Sequence, residues 1–331
     1  MSINFIILIA GALVFDFMNG FHDSSNIVAT PIASRAIRPQ RMLWLAAFAH
    51  FIGPFLFGVA VAETIATGIT DPNNITITVV NAAMISAIIW NVITWWFGIP
   101  SSSSHALIGG IVGAVIVSAG VSAIEPTGLT KVFLALLLSP ILGVIVGYLL
   151  MSLTFFLARG ATPKINTFFK RSQLVTSTGL ALSHGANDAQ KTMGIIVLGL
   201  MAEGIITEFY VPTWVVFISA SMIALGTAAG GWRLIRTLGW RIYKVRAVHG
   251  FVAQISSTAI ILGAAIGGAP VSTTQVMSSS IMGAGSAERV SKVRWQVGYE
   301  MVIAWVLTIP VSIVMAGLIY FPLFWLSNLT Q

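Results

Sequence analysis

Ser183-His184-Gly185-Ala186-Asn187-Asp188-Ala189-Gln190-Lys191 carries an acid, a base, two amides and a glycine. Apolar sequence of about half a bilayer span lies on each side, residues 174–182 before it and 192–201 after it. A soluble protein would use such a stretch as a loop between two short buried helices. In a bilayer, a polar run at the midpoint of a hydrophobic span is costly and marks a functional site. The rest of the chain decides between the two.

The chain has 331 residues, 56% hydrophobic and only 8% charged, with a mean hydropathy of +0.92. A soluble domain carries roughly a quarter charged residues, so the composition is that of a polytopic membrane protein. A net charge of +7 would point to nucleic acid in a soluble chain. Here basic loops at a membrane surface account for it, and no nucleic-acid partner is expected. There is no cysteine, which excludes disulfides and thiolate metal sites. Residues 3–15 are apolar with no basic stretch before them, which predicts a first transmembrane segment rather than a cleaved signal peptide.

Ten apolar segments follow one another: 3–18, 42–62, 79–97, 105–120, 131–157, 173–201, 211–230, 249–267, 275–286 and 296–325. Most are rich in Gly and Ala, as closely packed membrane helices are. Only Gly98-Ile99-Pro100-Ser101-Ser102-Ser103-Ser104 separates the third from the fourth. Only Gly268-Ala269-Pro270-Val271-Ser272-Thr273-Thr274 separates the eighth from the ninth. Both pairs read as helical hairpins with a Pro-Ser/Thr tip.

Loop charge sets the orientation. Basic residues gather at Arg35, Arg38 and Arg41, at Arg159, Lys164, Lys170 and Arg171, at Arg233, Arg236, Arg241, Lys244 and Arg246, and at Arg289, Lys292 and Arg294. Lys131 and Lys191 alone lie elsewhere. If each hairpin returns to its own side, all four basic loops share one face, which the positive-inside rule makes cytoplasmic. Both termini are then outside, the first hairpin opens outward and the second inward. Each half, residues 1–172 and 173–331, has an odd number of crossings, so the halves are inverted. The predicted fold is an all-α polytopic membrane protein. It is one bundle of two inverted-topology repeats, each with three spans, the first interrupted, plus a hairpin.

Internal matches support the duplication. Gly20-Phe21-His22-Asp23 corresponds to Gly185-Ala186-Asn187-Asp188, and Pro100-Ser101-Ser102-Ser103-Ser104 to Pro270-Val271-Ser272-Thr273-Thr274. Gly113-Ala114 and Gly283-Ala284 follow those prolines at one spacing, as do Pro140 and Pro310. Inverted repeats with interrupted helices indicate a secondary transporter with a midplane site.

A Pro followed by Ser/Thr starts a helix well, because hydroxyls cap free N–H groups. Two such tips entering from opposite sides bring two helix N-termini together. Their dipoles, N–H groups and the hydroxyls of Ser102, Ser103, Ser104, Ser272, Thr273 and Thr274 suit a tetrahedral oxyanion. The plainer role is satisfying backbone groups at a helix break. Asp23 and Asp188 must bind a cation, share a proton or pair with a base. Asn26, Asn187 and Gln190 are candidate oxygen ligands. Asp16 shares Asp23's helix face if the first helix continues that far; a hydrogen bond to a break is its other role. Three roles are open to Lys191: neutralising Asp23, neutralising Asp188, or attracting the anion. His105 reads as a capping donor, and His50 and His249 as satisfied core residues. Glu300 reads as half of a structural ion pair.

Together, Gly-Phe-His-Asp-Ser-Ser-Asn (20–26), Gly-Ile-Pro-Ser-Ser-Ser-Ser-His (98–105), His-Gly-Ala-Asn-Asp-Ala-Gln-Lys (184–191) and Pro-Val-Ser-Thr-Thr-Gln (270–275) resemble the inorganic phosphate transporter (PiT) family. Within it, the bacterial low-affinity Pit branch is most similar. The resemblance implies a cation-coupled phosphate symporter without a resident cofactor, a homodimer in the cytoplasmic membrane. Phosphate would lie between the tips, and His22, Asp23, Asn26, Asn187, Asp188, Lys191 and Gln275 would serve coupling. Family members also include sulfate permeases. The chain departs from the Gly-Ala-Asn-Asp-x-x-Asn pattern of sodium-coupled relatives. Phe21-His22 replaces Ala-Asn in half one, and Lys191 replaces the final Asn in half two. A fixed positive charge near Asp188 opposes sodium, and His22 can titrate near neutral pH. Proton coupling is therefore expected over sodium, with a divalent metal–phosphate complex as a further form of the substrate.

An intramembrane hydrolase is the rival from another class, since Ser, His and Asp are all present. It would need one activated nucleophile with a base and an orienting acid. Duplicated, near-equivalent Ser/Thr clusters suit alternating access better. An anion channel gains nothing from intramembrane carboxylates.

Overall fold

The computed structural model describes residues 3–71 and 75–329. The two chain ends, expected on the outer side of the membrane, lie beyond the described residues. Within them every regular element is helical, apart from one antiparallel bridge between Thr70 and Ile124. The helices are α1 Ile3–Ala33, α2 Pro39–Leu56, α3 Ala60–Thr67, α4 Ile77–Phe97, α5 Ser103–Ala119, α6 Pro126–Leu157, α7 Ile165–Ala202, α8 Thr213–Ala229, α9 Trp232–Arg236, α10 Ala247–Ile266, α11 Thr273–Arg289 and α12 Trp295–Leu329. Each of the ten apolar segments falls in one helix or one bent pair, in order. By length and apolarity α1, α4, α6, α10 and α12 can each cross a bilayer, and the bent pairs α2–α3 and α8–α9 add two more.

The expected interruption of each first span is not there. α1 runs unbroken through Asp23, and α7 through Asp188. Breaks occur in the second spans instead. The chain turns by 73° between α2 and α3 and by 60° between α8 and α9. Gly58 (φ 77°) and Gly230 (φ 73°) take up those turns in the left-handed region that glycine reaches without strain. Polar side chains in the middle of α1 and α7 serve these breaks. Ser24 on α1 accepts from the N–H of Gly231 at 2.9 Å. The Gln190 side-chain oxygen on α7 accepts from the N–H of Val61 at 2.8 Å. The freed backbone groups thus belong to the neighbouring span, and Gln190 caps one of them.

The halves pack by exchange: α1 lies on α8, α2 on α7, α5 on α12 and α6 on α11. Glycines set the closest approaches. A Cβ at Gly20 would sit 2.0 Å from the carbonyl oxygen of Ile223, and one at Gly226 2.0 Å from that of Phe17. On the other side, Gly53 meets the Leu182 carbonyl at 2.3 Å and Gly185 that of His50 at 2.4 Å, measured the same way. Gly113 and Gly283, matched in sequence, are matched in contact: their added Cβ atoms would stand 2.1 Å from the Ile313 carbonyl and 2.2 Å from that of Val144. In membrane helices, small residues at crossings let backbones approach and gain dispersion where lipid offers no hydrophobic drive.

At the basic end of α11, Glu288 gathers Arg246 at 2.5 Å, His249 and Lys292 at 2.8 Å and the Tyr243 hydroxyl at 2.7 Å. Glu300 is exposed and has no ion pair among the described residues. The structural ion pair expected there forms at Glu288 instead, where two cations, Arg246 and Lys292, and the His249 ring converge.

Candidate functional site

Both hairpins turn in the same way. A left-handed glycine, Gly98 (φ 67°) or Gly268 (φ 66°), is followed two residues on by Pro100 or Pro270. Ser102 and Ser272 then cap α5 and α11, accepting from the N–H groups of His105 (3.2 Å) and Gln275 (3.4 Å). At a helix start the remaining first-turn N–H groups have no intrahelical acceptor, so Ser103, Ser104, Thr273 and Thr274 present theirs at the tips. The tips touch. Ser104 Oγ donates to the Val271 carbonyl at 2.9 Å, and Gln275 Nε2 lies 3.5 Å from both ring nitrogens of His105. All six tip hydroxyl residues are buried.

Each tip is held by both halves. Thr237 donates to the Gly98 carbonyl at 3.1 Å, and Thr64 to that of Gly268 at 2.7 Å. Ser103 donates to Asn19 Oδ1 at 2.7 Å. Thr274 donates to Asp23 Oδ1 at 3.0 Å, which also accepts from Asn26 Nδ2 at 2.6 Å. Asn187 Nδ2 reaches the Ala269 carbonyl at 3.4 Å. Ser102 Oγ also lies 2.6 Å from His105 Nδ1, so His105 is bound to the cap, as expected of it.

Lys191 is 1% exposed, and its ammonium donates to Asp188 Oδ1 at 2.6 Å and to the Val271 carbonyl at 3.0 Å. Of its three open roles, the direct contact is with Asp188. Asp23 also interacts with both Asp188 and Lys191. Two carboxylates and one ammonium therefore share a buried centre beside two helix starts. Second oxygens of Asp23 and Asp188, and the side-chain oxygens of Asn26 and Asn187, have no hydrogen-bond partner.

The structure thus gathers Ser102, Ser103, Ser104, Ser272, Thr273, Thr274, Gln275, Asp23, Asn26, Asn187, Asp188 and Lys191. His22 is not among them. It meets the backbone of Asn91 on α4, and its ring lies 6.5 Å from that of Phe21. Three residues join to which the sequence alone assigns no individual role. Asn19 receives Ser103. Thr192 donates to Asp16 Oδ1 at 2.5 Å, giving that acid a partner on α7. His184 Nδ1 lies 3.9 Å from Asp188 Oδ2. No group of three or more acidic or histidine side chains suited to a metal ion occurs among the described residues.

The phosphate transporter family profile matches residues 19–316. The chain is 46% identical over 316 residues to a "Probable low-affinity inorganic phosphate transporter" of Rhizobium meliloti (strain 1021), covering 95% of each chain. It is 44% identical over 320 residues to a protein of the same description from Bacillus subtilis (strain 168), covering 96% of each. A solved structure described as "The sodium-dependent phosphate transporter" superimposes with a TM-score of 0.88 over the whole of both chains at 23% identity. That likeness is one of fold.

Proposed function

The chain belongs to the phosphate transporter family, and from that premise we propose a proton-driven symporter of inorganic phosphate in the cytoplasmic membrane. It is a multi-pass transporter, not an enzyme. The anion binds between the two tips, on the first-turn N–H groups of α5 and α11 and the hydroxyls of Ser103, Thr273 and Thr274. Binding replaces the Ser103–Asn19 and Thr274–Asp23 bonds, which frees Asp23 as the anion arrives.

The observation that carries proton coupling is the Lys191–Asp188 pair at 2.6 Å. An ammonium already stands where a coupling cation would neutralise Asp188. With both acids ionised the centre carries one net negative charge, and one proton removes it. Two carboxylates that interact share a proton readily, because like charges at short range resist joint ionisation. Sodium at Asp23 is the second reading, favoured by the unpartnered oxygens of Asp23 and Asn26.

Alternating access rests on the two halves, 1–172 and 173–331, as inverted repeats with both termini outside. The exchange pairing of helices and the matched glycine contacts support that reading. A homodimer is expected through the apolar outer faces of α6 and α12, and native mass spectrometry measures it.

Proteoliposomes given labelled phosphate or sulfate under an imposed proton or sodium gradient test the whole reading. Proton-driven uptake of phosphate, with sulfate left out, is the expected result; added magnesium tests the metal complex. Uptake that follows sodium and ignores protons would overturn the coupling assignment.

A further inference from the structure

We propose that His184 and His50 carry the coupling proton between Asp188 and the basic face of the protein. This rests on the proton-coupled reading above. The two imidazoles are fully buried, on α7 and α2. Their rings stack with centroids 6.1 Å apart and planes 20° from parallel. His184 stands one turn of α7 before Asp188, with Nδ1 3.9 Å from Asp188 Oδ2. His50 Nδ1 lies 2.6 Å from the Thr227 hydroxyl oxygen, three residues before the Gly230 break.

Burial without bonding needs an explanation. His184 Nδ1, His184 Nε2, His50 Nε2 and Asp188 Oδ2 all lack a hydrogen-bond partner. A packing histidine in a helical core would be satisfied at one nitrogen at least, and His184 is satisfied at neither.

The carbonyls of Ile223 and Gly20 around the Thr227 hydroxyl favour one tautomer of His50. The Thr227 hydroxyl donates to the Ile223 carbonyl at 2.8 Å. Its oxygen is then an acceptor, so His50 Nδ1 carries the proton and donates. Nε2 keeps a free lone pair, buried and facing no donor. The acceptor that a relay requires is therefore in place.

The transfer runs as follows. The proton on Asp188 Oδ2 passes to His184 Nδ1; an O–H bond breaks, an N–H bond forms, and the carboxylate remains paired with Lys191. A water molecule admitted beside the stacked rings would take the imidazolium's Nε2 proton and hand one to His50 Nε2. Only protons move, and no redox partner is involved. The charged groups around this route are Asp188 and Lys191 on α7 and, across from Asp188, Asp16 and Asp23 on α1. α8 contributes the Thr227 hydroxyl. His50 Nε2 then releases the proton to solvent water when the carrier opens to the side of the basic loops, which restores its starting tautomer.

His184→Gln and His50→Gln keep polarity and size and remove titration. Purified variants with wild-type thermal unfolding go into proteoliposomes. Net phosphate uptake under an imposed pH gradient, internal acidification, and phosphate–phosphate counterflow at equal pH are then measured. Counterflow returns the loaded carrier without net proton release. Each variant should lose at least tenfold in net uptake and acidification, with a flattened pH profile, while counterflow falls much less. Wild-type net uptake and acidification in both variants would overturn the relay, as would equal loss of net uptake and counterflow. If the wild type itself ignores the pH gradient, proton coupling fails and the relay with it.

Discussion

An ammonium 2.6 Å from Asp188 separates the coupling models at a single residue. Lys191→Asn restores the sodium-family pattern in half two and leaves a carboxylate among amide oxygens, which suit a hard cation. Proton-driven uptake should be lost or become sodium-responsive; normal proton-driven uptake indifferent to sodium would sink the assignment. Ser103→Ala with Thr273→Ala should raise the apparent phosphate constant while the protein still folds. Each bond lost to a charged ligand is worth about 1.5–3 kcal/mol, on the order of tenfold or more in affinity. Unchanged kinetics in the double variant would reduce the tips to caps. The charged residues were legible because a buried charge must have a purpose. Side-chain direction was not. Asn19, Asp23 and Asn26 share a face of α1, while His22 points about 100° round the helix from Asp23, into α4. Gln190 is drawn to a break in another span, which a linear reading does not contain. His184, Asp188 and Lys191 lie at i, i+4 and i+7, a one-face pattern that does mark His184 from sequence alone.

Helix crossings are the next scale. Gly226→Ala and Gly53→Ala each place a Cβ within 2.0–2.3 Å of a backbone carbonyl, which cannot rotate away. Both should unfold at lower temperature in detergent, since overpacking costs about 1–3 kcal/mol. Gly263 on α10 has nothing within 4 Å of an added Cβ. Gly263→Ala should hold or raise stability, because Ala is favoured over Gly by roughly 0.5–1 kcal/mol in a helix. Equal melting of all three would refute the crossing argument. The Glu288 cluster adds a pH signature. Burial would raise its pKa, but Lys292, Tyr243, Arg246 and His249 outweigh that and bring it to about 2 from an ordinary 4.5. A lowered folded pKa stabilises above the ordinary value and is lost as pH falls through the folded one. Wild type and Glu288→Gln should therefore melt apart at neutral pH and converge as pH falls from 4.5 toward 2. The hairpins were legible because Gly, Pro and capping hydroxyls act locally. The second-span breaks were not: Gly58 and Gly230 look like any other glycine in an apolar run, and their caps come from the other half.

For the whole molecule, loop charge gives a threading that labelling can check. The native chain has no cysteine, so single cysteines report cleanly. Ser122 and Thr207 are exposed and should react with an impermeant reagent from outside; Gln40 and Asn166, also exposed, should not. Ser2 and Asn74, on the same outer face by that threading, lie outside the described residues. Reaction of Asn166→Cys in intact cells would overturn the inversion. The helices themselves and their order were legible from hydropathy. The exchange of partners between halves was not, because each sequence match says which residues are equivalent and nothing about which ones touch.

That exchange has a consequence for how the protein is made. Gly20 on α1 closes on Ile223 of α8, a partner synthesised about two hundred residues later. At a ribosomal pace of roughly 5–20 residues per second, the first helix waits on the order of 10–40 s before its surface is covered. For part of that interval Asn19 is without the first tip and Asp16 without Thr192, and Asp23 and Asn26 are without the second tip to its end and beyond. The nascent chain needs another shelter for those groups, from water, the insertion machinery or a protonated acid, until its second half arrives.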